Sequence, residues 1–275
     1  MTSKLIATAT ALVLMPASGA LGGGTELVFF DHIKAEMIEQ DVYVPRGDDG
    51  KVFRVTKEDY SDYMDEMVYR TAVPVEHAPM DMAKVGPYDA GQPLDFTLGS
   101  WLSATGEASY DCREGKGEFS AKFDNLVPNG LYTMWIFFAG QSMAEFRTFD
   151  LPMGAPDGSE SSFTADPKGH AEYGISLEAC LQGTGPQLLA GLAIAYHSDD
   201  ATHGYEPGPM GNKSHIHLFT VLPSDSELNG QRNIVAPARR GHKLHYMRPT
   251  RRATFIARFE FLSLGSFLFP RLFEI

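Results

Sequence analysis

Between Phe119 and Phe138 the pattern of apolar and polar positions changes in a way that predicts two strands with different surroundings. Phe119, Ala121 and Phe123 fall on one face, while Glu118, Ser120, Lys122 and Asp124 fall on the other. That period of two is the mark of a strand with one wet side. Val127-Pro128-Asn129-Gly130 follows, where proline presets φ and Asn-Gly accepts the positive φ of a reversal. From Leu131 to Ala139 both faces are apolar, with Leu131, Trp135 and Phe137 on one and Tyr132, Met134, Ile136 and Phe138 on the other. The pattern predicts a central β-hairpin whose second arm lies mid-sheet and is covered on both sides. Inside so apolar a run, Trp135 reads as core rather than as a ligand platform.

The same texture continues from Gly91. Short strands are expected near 94–98, 108–113, 117–126, 131–139, 145–150, 161–165, 170–178, 188–197 and 215–222, separated by Gly, Pro, Asn and Asp. Many short strands without interleaved helices indicate an all-β fold, an antiparallel β-sandwich of immunoglobulin-like or jelly-roll-like kind. Ahead of it, residues 21–90 read as an irregular acidic arm with one short helix. Thr56-x-x-Asp59 resembles a capping box, and Tyr60, Tyr63, Met64 and Met67 recur at helical spacing across Lys57 to Arg70. Draped over the outer face of the central sheet, this arm would explain a strand that is apolar on both sides. The division is therefore 1–20 leader, 21–90 arm, 91–223 sandwich, and 224–275 a basic then apolar tail with no stable packing.

The leader carries Lys4, an apolar run from Leu5 to Met15 and small residues at Ser18 and Ala20, the layout of a secretory signal cleaved after Ala20. The apolar run is short for a membrane helix. Export to the periplasm or cell exterior gives Cys112 and Cys180 a meaning: without CxxC spacing or a third partner, they read as one disulfide rather than two buried thiols. Charge divides unevenly. Eight Arg, one Lys and two Glu give residues 231–275 a charge of +7, so residues 1–230 carry −19 of the total of −12. An acidic body argues against nucleic acid and anionic membranes as partners, and no segment reads as an integral membrane span.

Candidate chemistry gathers on the last two strands. His197 shares a face with Leu189, Gly191, Ala193 and Ala195, while His215 and His217 share one on the following strand. The loop Ser198 to Ser214 between them holds Asp199, Asp200, His203 and Glu206. Antiparallel pairing would bring His197 opposite or near His215 at the loop mouth, where His197, His203, His215 and His217 would bind Zn or Cu with help from Asp199. A blue-copper centre is disfavoured, because no His closely follows a free thiolate. Hydrolase motifs are missing too: Gly158-Ser159-Glu160-Ser161-Ser162 lacks the closing glycine of a nucleophile elbow, and there is no HExxH helix or phosphate-binding glycine loop. Asn212-Lys213-Ser214 matches a glycosylation acceptor.

The turn and strand Pro128-Asn129-Gly130-Leu131-Tyr132-Thr133-Met134-Trp135 resembles a motif of secreted β-sandwich domains in bacterial surface proteins of unassigned function. The resemblance covers about Gly91 to Pro223 and implies fold and export, with no site residues. His215-Ile216-His217 resembles the His-x-His strand of copper/zinc superoxide dismutases, without that family's remaining ligand spacing. The functional expectation is an exported, non-catalytic domain that binds an extracellular saccharide or protein through end loops such as 198–214. The alternative is a Zn- or Cu-binding metalloprotein built on the same histidines, with redox activity left open.

Overall fold

The computed structural model describes residues 24–35, 41–76, 84–140 and 148–229. The leader, and the tail from 230 onward, lie outside the described residues. So do 145–147 of the expected strand 145–150.

The chain is mostly β, in antiparallel sheets with few and short helices. Sheet I has the order β1 (Thr25–Phe29), β6 (Thr105–Arg113), β7 (Lys116–Asp124), β11 (Ala171–Leu177). Sheet II runs β10 (Ser162–Thr164), β8 (Leu131–Gly140), β12 (Leu188–His197), β13 (Ser214–Val221), with β9 (Thr148–Pro152) on the second half of the edge of β8 that β10 shares. The sheets pack face to face. Phe29, Ala108, Tyr110, Phe119 and Phe123 of sheet I meet Tyr132, Met134, Leu192, Ile194 and Leu218 of sheet II in one core. Cys112 and Cys180 are joined across a sequence separation of 68, with Cα atoms 5.5 Å apart. Chain-entropy reasoning gives such a link roughly 4 kcal/mol. It fits an oxidising compartment.

The predicted hairpin is corrected. The turn forms as expected, with Gly130 N–H bonded to Val127 O at 2.9 Å and Asn129 at φ 59°. Its arms part company, however: β7 pairs with β6 and β11, whereas β8 pairs with β12, β9 and β10. The patterns themselves supply the reason. β7 buries every second residue and suits an outer sheet with one wet face. β8 is buried along most of its length and needs cover on both faces. Two positive-φ asparagines, Asn125 and Asn129, turn the connection into an arch between sheets.

The arm does supply part of that cover. After β1, Phe30 forms a two-bond bridge with Phe219 on the far edge of sheet II, and Phe30 and Ala35 pack on Ala193, Phe219, Phe137 and Ile216. The rest of the arm closes a small barrel of β2 (Tyr43–Pro45), β3 (Lys51–Arg54), β5 (Tyr88–Thr97) and β4 (Met67–Thr71). The helix expected over Lys57 to Arg70 is corrected as well. Asp59 Oδ1 accepts from Thr56 N as in a cap, but only a 3-10 turn follows at Tyr60–Tyr63. From Met67 the chain is claimed by pairing with β5, and Val68 goes fully into the core.

Two short helices finish the frame. α1 (Leu98–Leu102), capped by Thr97, drives Trp101 into the core. α2 (Asp225–Leu228) gives the first residues of the tail a packed position, with Leu228 buried and Asn229 Nδ2 donating to Leu181 O at 2.9 Å. Among the described residues, no helix is long and apolar enough to cross a membrane.

Candidate metal centre

β12 is paired on both sides, His197 opposite Leu131 of β8 and Ser214 of β13. Its last residue is therefore held rigidly, and it is wholly buried. The chain turns at once: Asp200 N–H bonds to His197 O at 3.3 Å, with Asp200 at φ 56°. That tight reversal brings Asp199 back beside His197. Further along, His203 lies over Gly208, where a Cβ would come within 2.4 Å of its ring. The loop's return leg is clamped to the barrel by Thr71 N–H to Gly211 O at 2.8 Å, Val75 N–H to Met210 O at 3.0 Å, and Asn212 Nδ2 to Thr71 O at 2.6 Å. The Asn212 amide of the glycosylation motif is thus already engaged.

His197, Asp199 and His203 each bring a ligand atom within 4.8 Å of the others. The His197 and His203 rings lie 5.6 Å apart, and His203 Nε2 is 3.7 Å from Asp199 Oδ2. His197 Nε2 is tied to Thr133 Oγ1 at 2.7 Å, and that oxygen accepts from Trp135 Nε1–H at 2.7 Å. What remains on the side of the cluster is unusual. His197 Nδ1, Asp199 Oδ1 and His203 Nε2 are all buried with no hydrogen-bond partner. Native interiors rarely leave such atoms bare unless a water or ion completes them. Burial, first, and then the neighbouring His203 lower the His197 pKa to about 4, partly opposed by Asp199. Its imidazole is neutral at pH 7, with a lone pair free for a metal.

The two other predicted histidines do not join this group. The register explains why: His197 faces Ser214, and His215 faces Tyr196, so His197 and His215 occupy adjacent positions that point to opposite sides of the sheet. A bulge at Ile194/Ala195 shifts the register further along. His215 Nδ1–H donates to Asp41 O at 2.6 Å, and its Nε2 accepts from Ser198 Oγ at 2.9 Å. The Ser198–His215 pair has the outline of a nucleophile and its base. Yet Ser198 Oγ also lies 3.4 Å from the carbonyls of Asn212 and Lys213, acceptors that oppose a developing negative charge. The pair ties β13 and the loop to the barrel. His217 Nε2–H donates to Trp101 O at 2.8 Å, and its Nδ1 accepts from the Tyr132 hydroxyl at 3.0 Å, with the ring stacked on Trp101 at 3.5 Å. Both histidines belong to the framework.

Thr133 and Trp135, which hold Nε2 of the His197 ring, carry no such role in the sequence reading. Trp135 is buried as expected, but its indole N–H serves the cluster through Thr133. The i, i+2 spacing that places both on the face of His197 was the available signal. No protein-family model matches this chain, and no curated protein matches it either.

Proposed function

We propose that this is an exported β-sandwich domain that binds one divalent transition metal ion at the mouth of the loop between β12 and β13. His197 Nδ1, Asp199 and His203 Nε2 are the ligands, and Zn²⁺ or Cu²⁺ is the ion. The observation that carries the reading is that His197, Asp199 and His203 each bring a ligand atom within 4.8 Å of the others, and that each also holds a buried polar atom with no hydrogen-bond partner. Two imidazoles and a carboxylate suit a borderline ion. Thr133 is the outer-shell partner that orients the ligating ring. The leader and the disulfide support export. This reading keeps the end loop as the binding element and makes its ligand an ion rather than a saccharide or protein.

Elemental analysis of untagged protein, followed by calorimetric titration of stripped protein with Zn²⁺, tests it. One ion per chain is expected in the wild type, and none in the His197→Ala, His203→Ala double variant. A metal-free wild type that ignores Zn²⁺, or a double variant that still holds the ion, overturns it.

A further inference from the structure

Resting on that metal reading, we infer that the centre also takes a small oxyanion, one oxygen on the open position of the ion and another on the ammonium of Lys213. The three protein ligands cover only part of a coordination sphere. Zinc held by three protein groups keeps a further position for water or substrate. The direction of that position follows from burial. The ligand atoms themselves are covered, but His197 is entirely enclosed while the Asp199 and His203 side chains keep 18% and 22% of their surface exposed, so solvent lies nearest on the loop side of the cluster.

Lys213 stands on that side. Its Nζ is 3.4 Å from Asp199 Oδ2, and its side chain is 44% exposed. Its backbone is held at both ends, by Lys213 N–H to Pro209 O at 2.9 Å and Ser198 N–H to Lys213 O at 2.9 Å. The fold therefore delivers an ammonium to the rim of the cluster. In the metal-free protein that ammonium pairs with Asp199. With an ion on Oδ1, the ammonium on Oδ2 stands beside a site of surplus positive charge: a divalent ion, two neutral imidazoles, one carboxylate and one lysine leave a local sum of about +2. This surplus sits in a chain of net charge −12. A carboxylate or phosphate group offers two oxygens, one for each centre, and charge-assisted bonds of this kind are the strong ones. Free phosphate and carboxylic acids share this chemistry, and separate titrations tell them apart.

The experiment uses the full secreted chain loaded with Co²⁺, whose visible bands report coordination number, with bound cobalt verified by elemental analysis. Inorganic phosphate and acetate are titrated in separate arms. A saturable band shift is expected in at least one arm. Lys213→Ala should weaken that anion tenfold or more, and Lys213→Arg should retain most of the affinity. Cobalt should bind the Lys213→Ala protein as tightly as the wild type or more tightly, because a positive charge beside the ion is gone. Cobalt bound with a silent response to both anions overturns the anion site and leaves the metal reading intact. An unchanged anion affinity in Lys213→Ala does the same. Failure of the wild type to take up cobalt overturns both.

Discussion

His217 and His197 sit on neighbouring strands of one sheet, both fully buried, yet they are finished in opposite ways. His217 spends both ring nitrogens, one on a carbonyl of α1 and one on the Tyr132 hydroxyl, and its face lies flat on Trp101. His197 spends one nitrogen on Thr133 and leaves the other without a hydrogen-bond partner, in a ring grouped with Asp199 and His203. The environment of the first is closed by groups of the fold itself. That of the second leaves Nδ1 without a hydrogen-bond partner, as the proposed metal reading requires.

The sharpest way to break this contrast is to truncate each ring in turn. His217→Ala removes two buried hydrogen bonds and a stacked ring, and should cost about 3 kcal/mol in denaturant unfolding. It should leave Zn²⁺ stoichiometry at one. His197→Ala should abolish tight Zn²⁺ binding, a larger loss than the roughly 10–100-fold typical of an outer-shell partner. Its cost in metal-free stability should be below that of His217→Ala, because one hydrogen bond, to Thr133, is lost rather than two and a stacked ring. If His217→Ala empties the site while His197→Ala does not, the assignment of roles is reversed.

Why the sequence placed His197 at the loop mouth without showing which side chains meet it there is visible in the same two residues. Periodicity was enough to place His197 at a strand end, to put His215 and His217 on a common face, and to find eight strands of the sandwich, the ninth expected strand, 94–98, falling in β5 of the barrel. Period-two reasoning also shows that residues at adjacent register positions cannot converge, but register itself depends on a bulge and on which sheet each strand joins. Neither is written in local pattern. The arch at Asn125 to Gly130 is a similar case: the turn was legible, the separation of its arms was not. The barrel was hidden more deeply. Its interior holds Arg54, whose Nη1 donates to Lys84 O at 2.8 Å and Nη2 to Glu76 O at 2.9 Å. A buried arginine bonded to backbone carbonyls leaves no apolar periodicity to read.

A smaller effect probes how the bare nitrogen is aimed. Thr133 Oγ1 accepts from Trp135 Nε1–H, so it meets His197 Nε2 with its remaining lone pair or its proton. A metal on Nδ1 requires the proton on Nε2, donating to Thr133. Thr133→Val keeps the shape, removes that acceptor, and should lower Zn²⁺ affinity by roughly 10–100-fold. Thr133→Ser should restore it. A loss of stability without a change in affinity, equal in both variants, would make Thr133 a packing residue only. Trp135 fluorescence offers an internal reporter, since its N–H shares the same oxygen.

The mildest test uses acid. Burial, the largest cause, lowers the His217 pKa to about 3, with the Trp101 carbonyl opposing it. In the unfolded chain the ring titrates near 6.5. Between those values the unfolded state binds the proton and the folded state does not, so stability rises with pH across the window and is lost as pH falls below about 6.5. The slope from one such group is at most about 1.4 kcal/mol per pH unit. His197 adds to the slope only down to its own value of about 4. The two rings therefore separate by where their contributions stop. Unfolding free energies of metal-free protein from pH 7 to 3.5 should flatten by about one proton's worth throughout that range in His217→Gln. In His197→Gln they should flatten only above about pH 4. Saturating Zn²⁺ sharpens the difference, because an ion on Nδ1 excludes the proton from His197 and leaves His217 untouched. If zinc instead altered the His217 contribution, the ion would be sitting in the core of the sandwich and not at the loop.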